Sequence, residues 1–79
     1  MKLKKSLTTE LKNLFKEELK IKVNERSKIY DHKKWDSLGN FNLLLVIEKR
    51  FKITFNSQEF NQLNTFKNIL KIVEKKFKN

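Results

Sequence analysis

The sequence predicts an all-α fold, a small bundle of three main helices plus one short helix, and three observations lead there. Apolar residues recur at three- and four-residue spacings in three separate stretches, as they do on the buried face of a helix. Short polar residues of the kind that cap helices (Asp36, Asn56, Thr65) stand immediately before helical stretches. Strand signals are nearly absent: Phe51 to Phe55 alternates, but so briefly that an extended link between helices is expected there. A chain of 79 residues is one domain, and at that size folding buries roughly 60 to 65% of the surface the unfolded chain exposes. Residues 1–79 are therefore expected to share one core.

The first helix is expected over Lys4 to Leu19, because Leu7, Leu11, Leu14, Phe15 and Leu19 fall at spacings of 4, 3, 1 and 4 and so share a face. From Lys20 to Trp35 the periodicity fades. Ile21, Val23, Ile29 and Tyr30 are available to tuck this long connection against the core, and an ordered loop is expected. The second helix starts at Asp36 or Ser37, where a short polar side chain accepts from the free amides of the first turn, and ends near Phe51. Asn56 or Ser57 caps a short helix through Phe60, with Glu59 three residues after Asn56 resembling a capping box. Thr65 caps the last helix, which runs to about Phe77. Its buried stripe is Phe66, Ile69, Leu70, Val73 and Phe77; its exposed stripe is Lys67, Lys71 and Lys75.

Composition narrows the function. There is no cysteine, hence no disulfide framework and no thiolate for a metal, and a cytoplasmic location is the expectation. Basic residues open the chain (Lys2, Lys4, Lys5), but Thr8, Thr9, Glu10 and Lys12 interrupt any apolar run that could act as a signal peptide. The longest apolar stretch, Leu43 to Ile47, is far short of the roughly 20 residues that span a bilayer. A soluble monomer without membrane insertion is expected.

The net charge of +10, from 19 basic and 9 acidic residues, raises nucleic acid as a partner. A chain without alanine or proline and crowded with Lys, Asn, Phe and Ile is also what an AT-rich coding sequence yields without selection for basicity. Distribution is more telling: residues 1–35 carry +6, residues 36–51 carry 0 and residues 52–79 carry +4. A small basic helical nucleic-acid-binding domain stays as the alternative function. Against it, no segment combines basic and base-reading polar residues on one helix face, and no nucleic acid is expected as partner.

The neutral middle carries more apolar surface than one core contact needs. Leu43, Leu44, Ile47 and Phe51 cover one face of the second helix, while Leu38, Phe41 and Leu45 form a second line at i, i+3 and i+7. That second line either covers the long loop or forms a partner-docking patch beside Ser37.

Asp36-Ser37-Leu38, with Glu48 eleven and Phe51 fourteen residues after the serine, resembles the acyl carrier protein family. The register continues through Ile47, Ile53 and Thr65, so the resemblance covers roughly the last 45 residues. It implies a stand-alone carrier rather than an enzyme: Ser37 would receive 4'-phosphopantetheine from coenzyme A, and the thiol of that arm would hold an acyl or aminoacyl thioester. The implied partners are a phosphopantetheinyl transferase, an acyl- or aminoacyl-activating ligase and an acyltransferase. A serine at a helix start agrees with this, since amides and the positive dipole end suit a phosphate. Asp36 is a helix cap or, by resemblance, a recognition element beside the transferase's metal; Leu38, Phe41, Leu45 and Glu48 are the candidate partner-binding residues.

The chain departs from the family's acidic pattern, for Gly39, Asn42, Lys49 and Arg50 stand where acidic or polar residues are common and Glu48 is the carboxylate left within the helix. A dedicated partner set is expected, because like charges suppress docking. Trp35-Asp36-Ser37-Leu38-Gly39 is similar to carriers of specialised pathways, including the D-alanyl type. Trp35 is read as a lid over the helix junction or as a transferase contact. His32, the one histidine, is expected to be solvated, and no catalytic or metal-ligating set accompanies it. Seven phenylalanines in a small core leave little room for a long acyl chain, so a short acyl or aminoacyl cargo is expected.

Overall fold

A computed structural model of the chain describes residues 3–78, and the side chains of Lys2, Lys4 and Lys5 lie outside what it describes. The order of elements is α1 (Leu3–Leu19), α2 (Ser37–Phe51), α3 (Ser57–Gln62) and α4 (Phe66–Lys78). This is the all-α arrangement of three long helices and one short one that the periodicity predicts, with boundaries shifted by a residue or two. α1 packs on both α2 and α4. Among the described residues no helix is long and apolar enough to cross a membrane.

The core is assembled from the stripes expected of each helix. Leu7, Leu11, Leu14, Phe15 and Leu19 of α1 are buried against Leu43, Leu44, Ile47 and Phe51 of α2 and Phe66, Ile69 and Val73 of α4. Trp35 is completely buried, its ring edge-on to Phe15 at 4.9 Å between centroids. Phe15 meets Phe66 edge-on at 5.5 Å on its other side. These offset aromatic contacts add to the area the rings bury, and the lid expected of Trp35 is thus a central member of the core.

Four expectations about burial need correction. Tyr30 does not tuck into the core; it is 66% exposed. Phe77 leaves the stripe of α4 and is exposed, keeping one edge-on contact to Phe51 at 5.7 Å. Of the seven phenylalanines, Phe15, Phe51, Phe55 and Phe66 are buried, Phe60 is half-buried, and Phe41 and Phe77 are exposed, so fewer than seven fill the interior. His32 is half-buried rather than solvated.

Local chemistry explains the helix ends. Asp36, extended at φ −102°, accepts from the Gly39 amide at 2.8 Å and so caps α2. At the other end Lys52 adopts a left-handed conformation (φ 57°) and its amide returns to the Glu48 carbonyl. The capping box of α3 is present in full: Asn56 accepts from the Glu59 amide at 2.8 Å while the Glu59 carboxylate accepts from the Asn56 amide at 2.9 Å. Thr65 Oγ1 accepts from the Asn68 amide at 3.1 Å at the start of α4.

The long connection between α1 and α2 is ordered, as expected, because it is tied to the link between α3 and α4. Ile29 N donates to the Asn64 carbonyl at 2.8 Å, and Phe66 N donates to the Ser27 carbonyl at 3.0 Å. These two bonds frame an isolated antiparallel bridge between Lys28 and Thr65. Of the extended link expected over Phe51 to Phe55, Phe51 instead ends α2 and Lys52 turns left-handed after it, which leaves residues 53–56 as the connection to α3.

Candidate functional site

Ser37 is the first residue of α2 and is exposed. Its position follows from Asp36: the cap stops the chain's extended path and turns the serine into the opening turn of the helix, where amides and the positive end of the dipole gather. Ser37 Oγ lies 2.5 Å from the Tyr30 hydroxyl, within a hydrogen bond that either oxygen can donate. Ser37 also borders an open groove of about 560 Å³ that runs past Tyr30 and Phe41 to Phe60, Asn61 and Asn64.

Gly39, the single glycine, explains how the connection reaches this point so tightly. A Cβ at that position would stand 2.3 Å from the Lys34 carbonyl oxygen, 3.2 Å from the Asp36 carboxylate and 3.3 Å from Leu19. Backbone approaches this closely only where no side chain intervenes.

The second apolar line of α2 does not cover the loop. Leu38 is 68%, Phe41 49% and Leu45 40% exposed, a row of apolar side chains starting next to Ser37. Phe41 makes one lateral contact, to Phe60 at 5.4 Å between centroids. Glu48, a candidate for partner binding, is half-buried and accepts from the Phe55 amide at 2.7 Å, which fixes the α2–α3 link and commits one of its oxygens. Arg50 faces α1, where it bridges Glu10 at 3.3 Å and Glu17 at 3.7 Å. The structure therefore brings Ser37, Asp36, Leu38, Phe41 and Leu45 to one end and side of α2 and gives Glu48 a structural task as well.

Asn40 and Tyr30 are the residues that sequence reasoning missed. Asn40 is buried, its Oδ1 accepting from Trp35 Nε1 and its Nδ2 donating to the Leu63 carbonyl, both at 2.9 Å. A signal existed: Asn40 stands three, four and seven residues before Leu43, Leu44 and Ile47, in line with the buried face. Tyr30 carried no such signal, since it lies where periodicity has lapsed.

Among the described residues no cluster of three or more His, Cys, Asp or Glu side chains could hold a metal ion. Glu59 has its carboxyl held below the ordinary range, first by the Asn56 amide, with Lys76 and Lys75 adding to the effect and partial burial opposing it. It belongs to the α3–α4 contact, bonded to Lys76 at 3.1 Å. The chain matches no family model, no curated protein and no solved structure.

Proposed function

We propose that the chain is a stand-alone acyl or aminoacyl carrier whose cargo rides as a thioester on 4'-phosphopantetheine attached to Ser37. The observation that carries this reading is the exposed Ser37 hydroxyl at the opening turn of α2, next to the exposed apolar row Leu38, Phe41, Leu45. A tether must be reachable by a transferase, and a visiting enzyme needs a surface to grip beside it. The residues fit the group: the hydroxyl borders an open groove, and a phosphate there would meet the positive end of a 15-residue helix. The exposed Lys33 and Lys34 precede it in the chain.

On transfer, the Ser37 Oγ–H proton passes to a base of the transferase, the Oγ–P bond forms, and the phosphoanhydride of coenzyme A breaks to release adenosine 3',5'-bisphosphate. The metal and base that this requires belong to the partner. The arm supplies the thiol; this chain supplies the tether, the docking surface and the orientation of the hydroxyl. Because the interior is filled by Trp35, Phe15, Phe66 and the aliphatic side chains around them, a short acyl or aminoacyl cargo fits better than a long one. A dedicated ligase and acyltransferase, matched to a basic carrier, complete the partner set.

The test is intact mass after incubation with coenzyme A and a broad-specificity phosphopantetheinyl transferase. The wild-type chain is expected to gain one arm and Ser37→Ala none. A wild-type chain that gains nothing counts against the proposal. The alternative, a basic nucleic-acid-binding domain, draws on the exposed row Lys67, Lys71 and Lys75; it requires binding to mixed DNA or RNA that weakens steeply with salt.

A further inference from the structure

Tyr30 is held in a conformation that a bulky residue seldom adopts. Its φ of 74° lies in the left-handed region, where a Cβ crowds the neighbouring carbonyl. Its ring is 66% exposed, so little burial offsets the strain. Neighbouring bonds impose the shape. Tyr30 N donates to the Trp35 carbonyl at 2.6 Å, and Ile29 N, one residue earlier, donates to the Asn64 carbonyl at 2.8 Å. Lys28 N donates to the Asp31 carboxylate at 3.0 Å and closes the turn. Trp35 is itself sunk in the core. Tyr30 is thus anchored through its backbone while its side chain stays outside, and the result is a phenol oxygen 2.5 Å from Ser37 Oγ. A strained residue whose side chain reaches a reactive group is where strain is expected to serve function.

We propose that Tyr30 is the positioning residue of the attachment point: its hydroxyl holds Ser37 Oγ in one orientation before modification, and donates a hydrogen bond to the phosphate afterwards. This rests on the carrier reading above. A free serine hydroxyl rotates, and each of the two hydroxyls can give or take the proton. Once Ser37 Oγ is an ester oxygen it has no proton left, so Tyr30 must be the donor. The charged phosphate oxygens beside that ester are then stronger acceptors than the ester oxygen itself. Asp36 cannot take the role, since its carboxylate already accepts from the Gly39 amide and would repel a phosphate. The restraint confines the root of the arm to the side of the helix mouth where the groove opens past Phe41 and Asn64.

The experiment compares the full-length wild-type chain with Tyr30→Phe, each treated with coenzyme A and a broad-specificity phosphopantetheinyl transferase. Tyr30→Phe is expected to gain the arm with KM unchanged and kcat lowered about threefold to tenfold, the effect of losing one neutral hydrogen bond. The deciding readout is phosphorus NMR of the modified proteins, which a purely structural role of the ring does not move. In wild type the phosphodiester signal is displaced from its position in the urea-unfolded protein; in Tyr30→Phe it narrows and moves back toward that position. Identical signals in the two proteins overturn the assignment whatever the rates, and leave the carrier reading standing. A wild-type chain that acquires no arm overturns both. Should Tyr30→Phe fail to fold, wild type decides: nuclear Overhauser contacts from the Tyr30 ring to the Ser37 methylene and the first methylene of the arm support the assignment, and their absence overturns it.

Discussion

Trp35 and Asn40 are joined inside the protein by a hydrogen bond from the indole Nε1 to the amide oxygen, 2.9 Å long, with neither residue open to solvent. The same amide reaches across to the Leu63 carbonyl. One side chain of α2 therefore fixes both the end of the long connection and the start of the α3–α4 link. Those are the two segments that the Lys28–Thr65 bridge also brings together.

Replacing Asn40 by alanine strands a buried donor and a buried acceptor at once. Each unsatisfied group costs about 1 to 3 kcal/mol, so Asn40→Ala is expected to lose about 2 to 6 kcal/mol in urea unfolding. A loss below about 1 kcal/mol would mean that water replaces the amide and that the bridge is dispensable.

Gly39→Ala sets two effects against each other. Alanine favours a helix by about 1 kcal/mol over glycine, but here its Cβ meets the Lys34 carbonyl oxygen at 2.3 Å, a backbone atom that cannot rotate away. Overpacking of this kind costs about 1 to 3 kcal/mol, and the variant is expected to melt below wild type. A higher melting temperature would show that the connection yields freely at that point.

Leu38→Ser and Leu45→Ser separate docking from folding. Both side chains are largely or partly exposed, so each variant is expected to stay within about 0.5 to 1 kcal/mol of wild type in stability. If α2 presents the gripped surface, kcat/KM for the phosphopantetheinyl transferase falls about tenfold or more. Unchanged kcat/KM in both would move the docking surface elsewhere.

Glu59 makes stability depend on acid pH. Its folded value lies below the ordinary 4.5, first because the Asn56 amide donates to the charged form. A depressed carboxyl contributes its stability above the unfolded value and loses it as pH falls through the lower folded one. The gap in stability between wild type and Glu59→Gln should hold steady above about pH 6 and narrow below the ordinary carboxyl value. A gap that stays constant into strong acid would place the stabilisation in packing rather than in charge.

The helices were legible because each is written along its own axis. Leu7 to Leu19 and Phe66 to Val73 are spaced for one face, and Asp36, Asn56 and Thr65 bond the amides that their chemistry predicts. Ser37 was singled out by the resemblance that Asp36-Ser37-Leu38 carries, and the cap at Asp36 places it at the helix mouth. Two residues of α2 take contacts that spacing did not foretell: the candidate Glu48 has one oxygen taken by the Phe55 amide, and the basic Arg50 is turned to two carboxylates of α1.

Sequence alone thus determined the number and order of the helices, the caps of α2, α3 and α4 to within a residue and most of the buried face of the three long helices, because periodicity and capping are set by residues a few positions apart. Tertiary structure decided what stands opposite each face. It left Leu38, Phe41 and Leu45 open, sank Asn40 beneath Trp35, and swung Tyr30 out of the core onto Ser37. Those outcomes depend on backbone bonds between segments more than thirty residues apart, such as Ile29 to Asn64, and on a left-handed turn at Tyr30 that no local spacing encodes.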